Sequence, residues 1–199
     1  TKWAAAPVLF RIPLLRPLLH QYGAFPASKE GILTVLSEGY NAGIVLDGIA
    51  GMFTNSKAGH EQLALRDRQA ICAIALKAKA NIVPGYCFGT NEVASVVQDP
   101  FGLLRWLSVT LDVSLTPFLG RWSCPMGPPR PEPLVFAYGD VIKCKDRFHG
   151  FPNMNSTDER ESAFRAAVDL VHKQLLSAFM DIFELHKGAY GWDGRMEFV

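Results

Sequence analysis

One stretch near the end of the chain constrains the fold most. Phe164, Ala167, Val168, Val171, Leu175, Phe179, Ile182 and Phe183 recur at three- and four-residue intervals up to His186. That spacing puts all of them on one side of an α-helix. Ser156 and Glu159 make a capping-box pattern at its start. A helix with so continuous an apolar stripe must bury it, and the usual cover is a sheet. The stripe is therefore assigned to the core rather than to a lipid-binding face.

The sheet has to come from short apolar runs upstream. Gly43-Ile44-Val45-Leu46 leads directly into Asp47-Gly48, the pattern of a buried strand delivering a loop. Ala27 to Glu38 reads as a helix, with Ser28 able to cap it, Ile32, Val35 and Leu36 on one face, and Gly39 ending it. Arg66 to Lys79 carries Ile71, Ile74, Ala75 and Ala78 at helical spacing, and Asn81 to Gly89 reads as a second buried strand. A helix between two strands predicts a βαβ unit, with Gly43 to Leu46 and Ile82 to Cys87 as adjacent parallel strands. Pro125 to Pro133 is too rich in proline for regular structure, while Leu134 to Gly139 and Val141 to Cys144 read as a strand with a Gly-Asp kink. The fold class expected is α/β, a mixed, largely parallel sheet flanked by helices. With 199 residues, 49% of them apolar, residues 1–199 are expected to form a single domain.

Twenty basic and nineteen acidic residues leave a net charge of +1, which gives no long-range field to attract nucleic acid or an anionic membrane surface, so any partner is expected to be recognised locally and no nucleic acid is expected as a partner. Cys72, Cys87, Cys124 and Cys144 lack the close paired spacing of a zinc site or redox dithiol and are expected as reduced core thiols, with no metal. Trp3 to Leu19 and Phe101 to Leu119 are the most apolar segments. Charges interrupt both, and prolines interrupt the first, so each is expected to lie at an interface or under a partner rather than to span a bilayer. Trp106 and Trp122 suit such a position. The chain opens on Thr1 rather than Met, which leads us to expect further sequence upstream.

Several stretches, in order, resemble the type-2 diacylglycerol and monoacylglycerol acyltransferases of the glycerolipid acyltransferase superfamily. These are Pro13 to Arg16, Gly23 to Ser28, the strand-loop Ile44 to Phe53, Arg68, the block Ala80 to Glu92, Pro129 to Pro133 with Gly139, and the ending His186-Lys187-Gly188-Ala189-Tyr190-Gly191-Trp192. Val-Pro-Gly-Tyr-Cys-Phe-Gly-Thr-Asn-Glu and the His-Lys-x-x-Tyr-Gly-Trp ending are the most specific. The resemblance implies transfer of a fatty acyl group from acyl-CoA, as co-substrate, to an acylglycerol hydroxyl, with no cofactor. It also implies association with the endoplasmic reticulum membrane or the lipid droplet surface. On the same resemblance Gly48, Arg68, Phe88, Gly89, Asn91 and Glu92 are substrate-binding candidates.

The chain departs from the family in three places. The family's His-Pro-His-Gly, whose second histidine serves as the base, does not occur in these residues. Asp47 and Gly48 stand where two glycines are usual, and Gly51 stands at the position of the family's glutamate. Gln69 and Ala70 replace the Lys and Gly that follow the family's arginine. Asp47 and His60 are the candidate substitute bases, against the commoner roles of turn residue and solvated loop histidine. Of the other histidines, His172 is expected on the polar side of the long helix and His186 at its last turn. Glu92 has equal claims as a site carboxylate and as a cap. The isolated chain is expected to show no acyl-CoA-dependent acylation of diacylglycerol. An alternative expectation is a catalytically inactive accessory subunit of a larger membrane-protein complex, including one in a plastid or mitochondrial membrane.

Overall fold

A computed structural model describes residues 1–46, 60–96, 104, 106, 108, 117–125, 127–144 and 157–199. At the N-terminus three short parallel strands lie in the order β2-β1-β3: β1 is Lys2–Ala5, β2 Ala24–Pro26 and β3 Ala42–Gly43. A 3₁₀ turn (Pro7–Arg11) and helix α1 (Leu15–Gln21) connect β1 to β2, and helix α2 (Lys29–Ser37) connects β2 to β3. Pro7 fits because it opens the 3₁₀ turn, where the missing N–H would have had no acceptor within the turn. Ser28 caps α2 as expected, its hydroxyl accepting from the Gly31 amide at 3.0 Å. Ile32 and Val35 then pack on Phe25 and Ile74 in a small N-terminal core.

The larger core is built on the long helix. Helix α4 (Thr157–Tyr190) runs one turn beyond the expected end at His186. Its Val168, Val171, Leu175, Phe179, Ile182 and Phe183 are buried, with Phe164 and Ala167 partly covered. Helix α3 (Ala70–Ala78) contributes Cys72, Ala75 and Leu76 to this core and Ile74 to the smaller one, so it joins the two. Lys79 ends α3 in a left-handed conformation (φ 53°). The remaining strands are β4 (His60–Leu63), β5 (Gly85–Phe88), β6 (Ser95–Val96), β7 (Phe118–Leu119), β8 (Val135–Tyr138) and β9 (Arg195–Phe198), of which β5, β8 and β9 contact α4. β4 pairs parallel with β9, whereas β5–β8 and β6–β7 are antiparallel.

The chain is thus a mixed α/β fold, but the expected βαβ unit is not formed. β3 pairs with β1 in the register Trp3↔Gly43, while β5 pairs antiparallel with β8 in a different sheet. The described strands make separate small sheets instead of one. Pro84 is part of the reason: it has no N–H for a ladder, so the run from Asn81 begins regular pairing only at Gly85. Ile82 meets Ile142 through a single isolated bridge. The other reason is that the true partners, Lys2–Ala5 and Val135–Tyr138, are distant in sequence from the strands they pair with.

Two further expectations are corrected. His172 is buried rather than on the polar side of the helix, its Nε2 lying 3.0 Å from the Leu65 carbonyl oxygen. All four cysteines are free, but Cys124 is exposed and Cys87 half-buried, so only Cys72 and Cys144 are core thiols. No helix among the described residues is long and apolar enough to cross a membrane. From Trp3 to Leu19 no residue is buried. Trp106 and Trp122 are exposed. Most of Phe101 to Leu119 lies outside the described residues, as do Asp47, Gly48, Gly51 and Ser156.

Candidate functional site

The turn that follows β5 is where the second core reaches the surface. Phe88, completely buried, stacks on Phe183 at a centroid distance of 5.8 Å and lies 5.6 Å from Trp192. These rings fix the direction in which the chain leaves the sheet. Gly89 then takes φ +89°, and the Glu92 amide closes the turn on the Gly89 carbonyl at 3.0 Å. A Cβ at Gly89 would overlap both the Tyr190 hydroxyl and the Pro133 carbonyl oxygen. The glycine is therefore required by sterics as well as by dihedral angle.

Glu92, at the end of this turn, is held from two sides. Trp192 Nε1 donates to Oε1 and the Tyr190 hydroxyl donates to Oε2, each at 3.2 Å, while the same hydroxyl lies 2.8 Å from the Pro133 carbonyl oxygen. Arg130 lays the proline-rich segment along the turn, donating from Nη2 to Ser95 Oγ at 2.8 Å and from Nη1 to the Glu92 carbonyl at 3.4 Å. The Tyr190 phenol is pushed up from its ordinary value, first by burial and then by the charge of Glu92.

Beneath the turn, Glu61 of β4 is buried, and its Oε2 accepts from Asn91 Nδ2 at 2.7 Å. Burial pushes the Glu61 carboxyl up, aided by the charge of Glu92 and opposed by donors from Asn91 and Tyr86. An open cleft lies above, lined by His60, Glu92, Glu132, Tyr190 and Asp193 among others. His60 opens β4 and is exposed on this cleft, opposite in alternation to the buried Glu61. No group of histidine, cysteine and acidic side chains among the described residues could hold a metal ion.

The structure therefore brings Phe88, Gly89, Asn91 and Glu92 into one turn and sets His60 on the same cleft as Glu92. Arg68 is used elsewhere: its Nη1 donates to the Leu46 carbonyl at 3.1 Å, beside the start of the glycine block in sequence. Asp47 and Gly48 lie outside the described residues. Sequence reasoning missed Glu61, Tyr190 and Trp192 as a connected set. His-Glu-Gln-Leu has weak strand character, so Glu61 reads as loop until β9 pairs with it.

A family model for diacylglycerol acyltransferase matches residues 3–199. Human diacylglycerol O-acyltransferase 2 is 28% identical over 92% of this chain and 46% of the human protein. Bovine 2-acylglycerol O-acyltransferase 1 is 29% identical over 93% of this chain and 54% of that protein. Diacylglycerol O-acyltransferase 2 of Dictyostelium discoideum is 32% identical over 90% of this chain and 53% of its own length. The chain spans about half the length of these curated relatives. No solved structure matches it.

Proposed function

The chain belongs to the diacylglycerol acyltransferase family, and from that premise we propose that the polypeptide carrying it transfers a fatty acyl group from acyl-CoA to the hydroxyl of a mono- or diacylglycerol at a lipid surface. One observation carries this reading: the family match covers residues 3–199, nearly the whole chain. The turn at Gly89 to Glu92 supports it, because family-like residues there are tied by side-chain hydrogen bonds to the Tyr190-Gly191-Trp192 ending. On this reading the lipid is met at the endoplasmic reticulum or lipid droplet surface.

The chemistry asks for a base on the acceptor hydroxyl and for donors to the tetrahedral oxyanion. Asp47 and His60 are the side chains of this chain to test as the base. Glu92 would contact the acceptor side of the cleft, with Gly48 and Arg68 at the glycine block and with Phe88, Gly89 and Asn91 holding the turn in place. The glycerol backbone would lie in the open cleft, while the acyl chains stay with the membrane.

A second reading, an inactive relative kept as a subunit of a membrane assembly, is favoured by Gly51 in place of the family's glutamate. It is also favoured by His60, whose side chain makes no hydrogen bond to another described residue to orient it. The two separate in one assay. The natural polypeptide containing these residues, in microsomes from cells lacking their own triacylglycerol synthesis, is given radiolabelled oleoyl-CoA with 2-acylglycerol or diacylglycerol. Labelled product above a heat-killed control supports transfer, and its loss in His60→Ala or Asp47→Asn identifies the base. Absence of product while the polypeptide remains membrane-bound supports the inactive subunit.

A further inference from the structure

The first 22 residues fold without contributing a buried side chain to either core. That is unusual for a stretch so apolar. The 3₁₀ turn and α1 are held to each other by Phe10 against His20, with ring centroids 5.4 Å apart; the turn's Val8, Leu9 and Phe10 are half-buried, whereas α1 leaves Leu15 and Leu18 exposed. Leu14, Leu18 and Tyr22, at four-residue spacing, are 87%, 46% and 76% exposed. They form one stripe along α1, flanked by Leu15 and Leu19, while Arg16 and His20 fall on the opposite side. Trp3 in β1 points away from Ala4, which packs toward α2, and its indole lies over Gly43 with 59% of its surface exposed. Right-handed crossovers place α1 and α2 on opposite faces of this sheet, which puts α1 on the Trp3 side.

Charge identifies what would cover this face. Residues 1–29 contain Lys2, Arg11, Arg16 and Lys29 and no acidic residue, whereas residues 30–199 contain 16 basic and 19 acidic residues. Lys2 is engaged by Glu38 at 2.7 Å, but Arg11 and Arg16 are exposed and make no ion pair among the described residues. An apolar stripe with Arg16 on the polar face behind it, Arg11 at the end of the preceding 3₁₀ turn and aromatic residues nearby matches an interfacial helix on an anionic bilayer. We infer that Trp3, the 3₁₀ turn and α1 are the surface by which this chain lies on a membrane containing anionic phospholipid, with Leu14, Leu18 and Tyr22 inserted and Arg11 and Arg16 at the headgroup phosphates. The inference deepens the proposed function by naming the face that meets the lipid, and it rests on that reading's lipid surface.

The test uses the purified chain with vesicles of phosphatidylcholine alone, or of phosphatidylcholine with a quarter phosphatidylserine. Partition is followed by sedimentation and by tryptophan quenching with brominated lipid. The wild-type chain is expected to bind both vesicles, the anionic ones more tightly, and Trp3→Phe to remove part of the quenching. Arg11→Gln with Arg16→Gln should weaken binding to anionic vesicles about thirty-fold, at about one kcal/mol per basic residue near such a surface, and leave binding to neutral vesicles unchanged. Leu14→Glu with Leu18→Glu should abolish both. Circular dichroism checks each variant, and if the leucine pair is unfolded the arginine pair decides alone. The inference is overturned if the wild-type chain stays in the supernatant, if the arginine pair binds anionic vesicles like wild type, or if a folded leucine pair still binds. It is also overturned if the face instead mediates self-association, seen as a dimer that the leucine pair converts to monomer. Partition needs no acyl-CoA, so a chain that binds vesicles but belongs to a polypeptide with no transfer activity overturns the proposed activity and leaves this surface standing.

Discussion

Replacing Gly89 by alanine should be among the most damaging single-methyl additions in the chain, and the structure says how large the loss should be. At φ +89° a side chain costs about 1–2 kcal/mol by backbone sterics alone. The added carbon also overlaps the Tyr190 hydroxyl and the Pro133 carbonyl oxygen, so the tyrosine must move away from both of its acceptors. The hydroxyl has one proton to share between them, so losing both contacts costs about 1–2 kcal/mol. The expected total is roughly 2–4 kcal/mol. Tyr190→Phe alone should cost about 1–2 kcal/mol, since it removes the same hydrogen bonds without strain. If the two sites were independent the double variant would lose the sum of both. We expect it to lose no more than Gly89→Ala alone, a coupling of about 1–2 kcal/mol, because the bonds are already gone and the missing hydroxyl relieves one overlap. Urea unfolding followed by circular dichroism measures all three, with unchanged slopes confirming that stability is what moved. A Gly89→Ala variant within about 0.5 kcal/mol of wild type, or strictly additive losses, would refute the proposed packing of the turn against the helix end.

Two other outcomes follow from the buried groups. Because burial raises the Glu61 carboxyl above its ordinary 4.5, its contribution to stability is full below that value and is lost as pH rises through the folded value. Glu61→Gln should therefore raise the melting temperature at neutral pH and flatten the profile above pH 4.5, and a profile unchanged from wild type in thermal scans would contradict it. The thiol of Cys72 is pushed up to about 11 by burial with Cys144 beside it. Iodoacetamide on the native chain should label the exposed Cys124 first and leave Cys72 and Cys144 unmodified until denaturant is added, as read by peptide mass spectrometry.

The elements most legible in the sequence are those whose stabilising contacts repeat locally. The stripe from Phe164 to Phe183 has one geometric solution at 3.6 residues per turn, and α4 buries most of it as expected. Ser28 and Gly39 bound α2 because capping and left-handed termination depend only on neighbouring backbone groups. The blocks around Gly89-Asn91-Glu92 and Tyr190-Gly191-Trp192 were likewise recognisable one by one. Strand pairing was not. Whether Gly43 lies beside Trp3 or beside Ile82 depends on which distant chain closes over it, and residues of the same apolar character fit either place. The joint between Glu92, Tyr190 and Trp192 spans about one hundred residues of sequence and exists only once α4 lies under β5. His172 and Glu61 show the same limit. A polar side chain on a periodic element looks solvated until the tertiary structure supplies Leu65 or Asn91 as its partner, because the desolvation of one group is set by atoms that other parts of the chain bring to it.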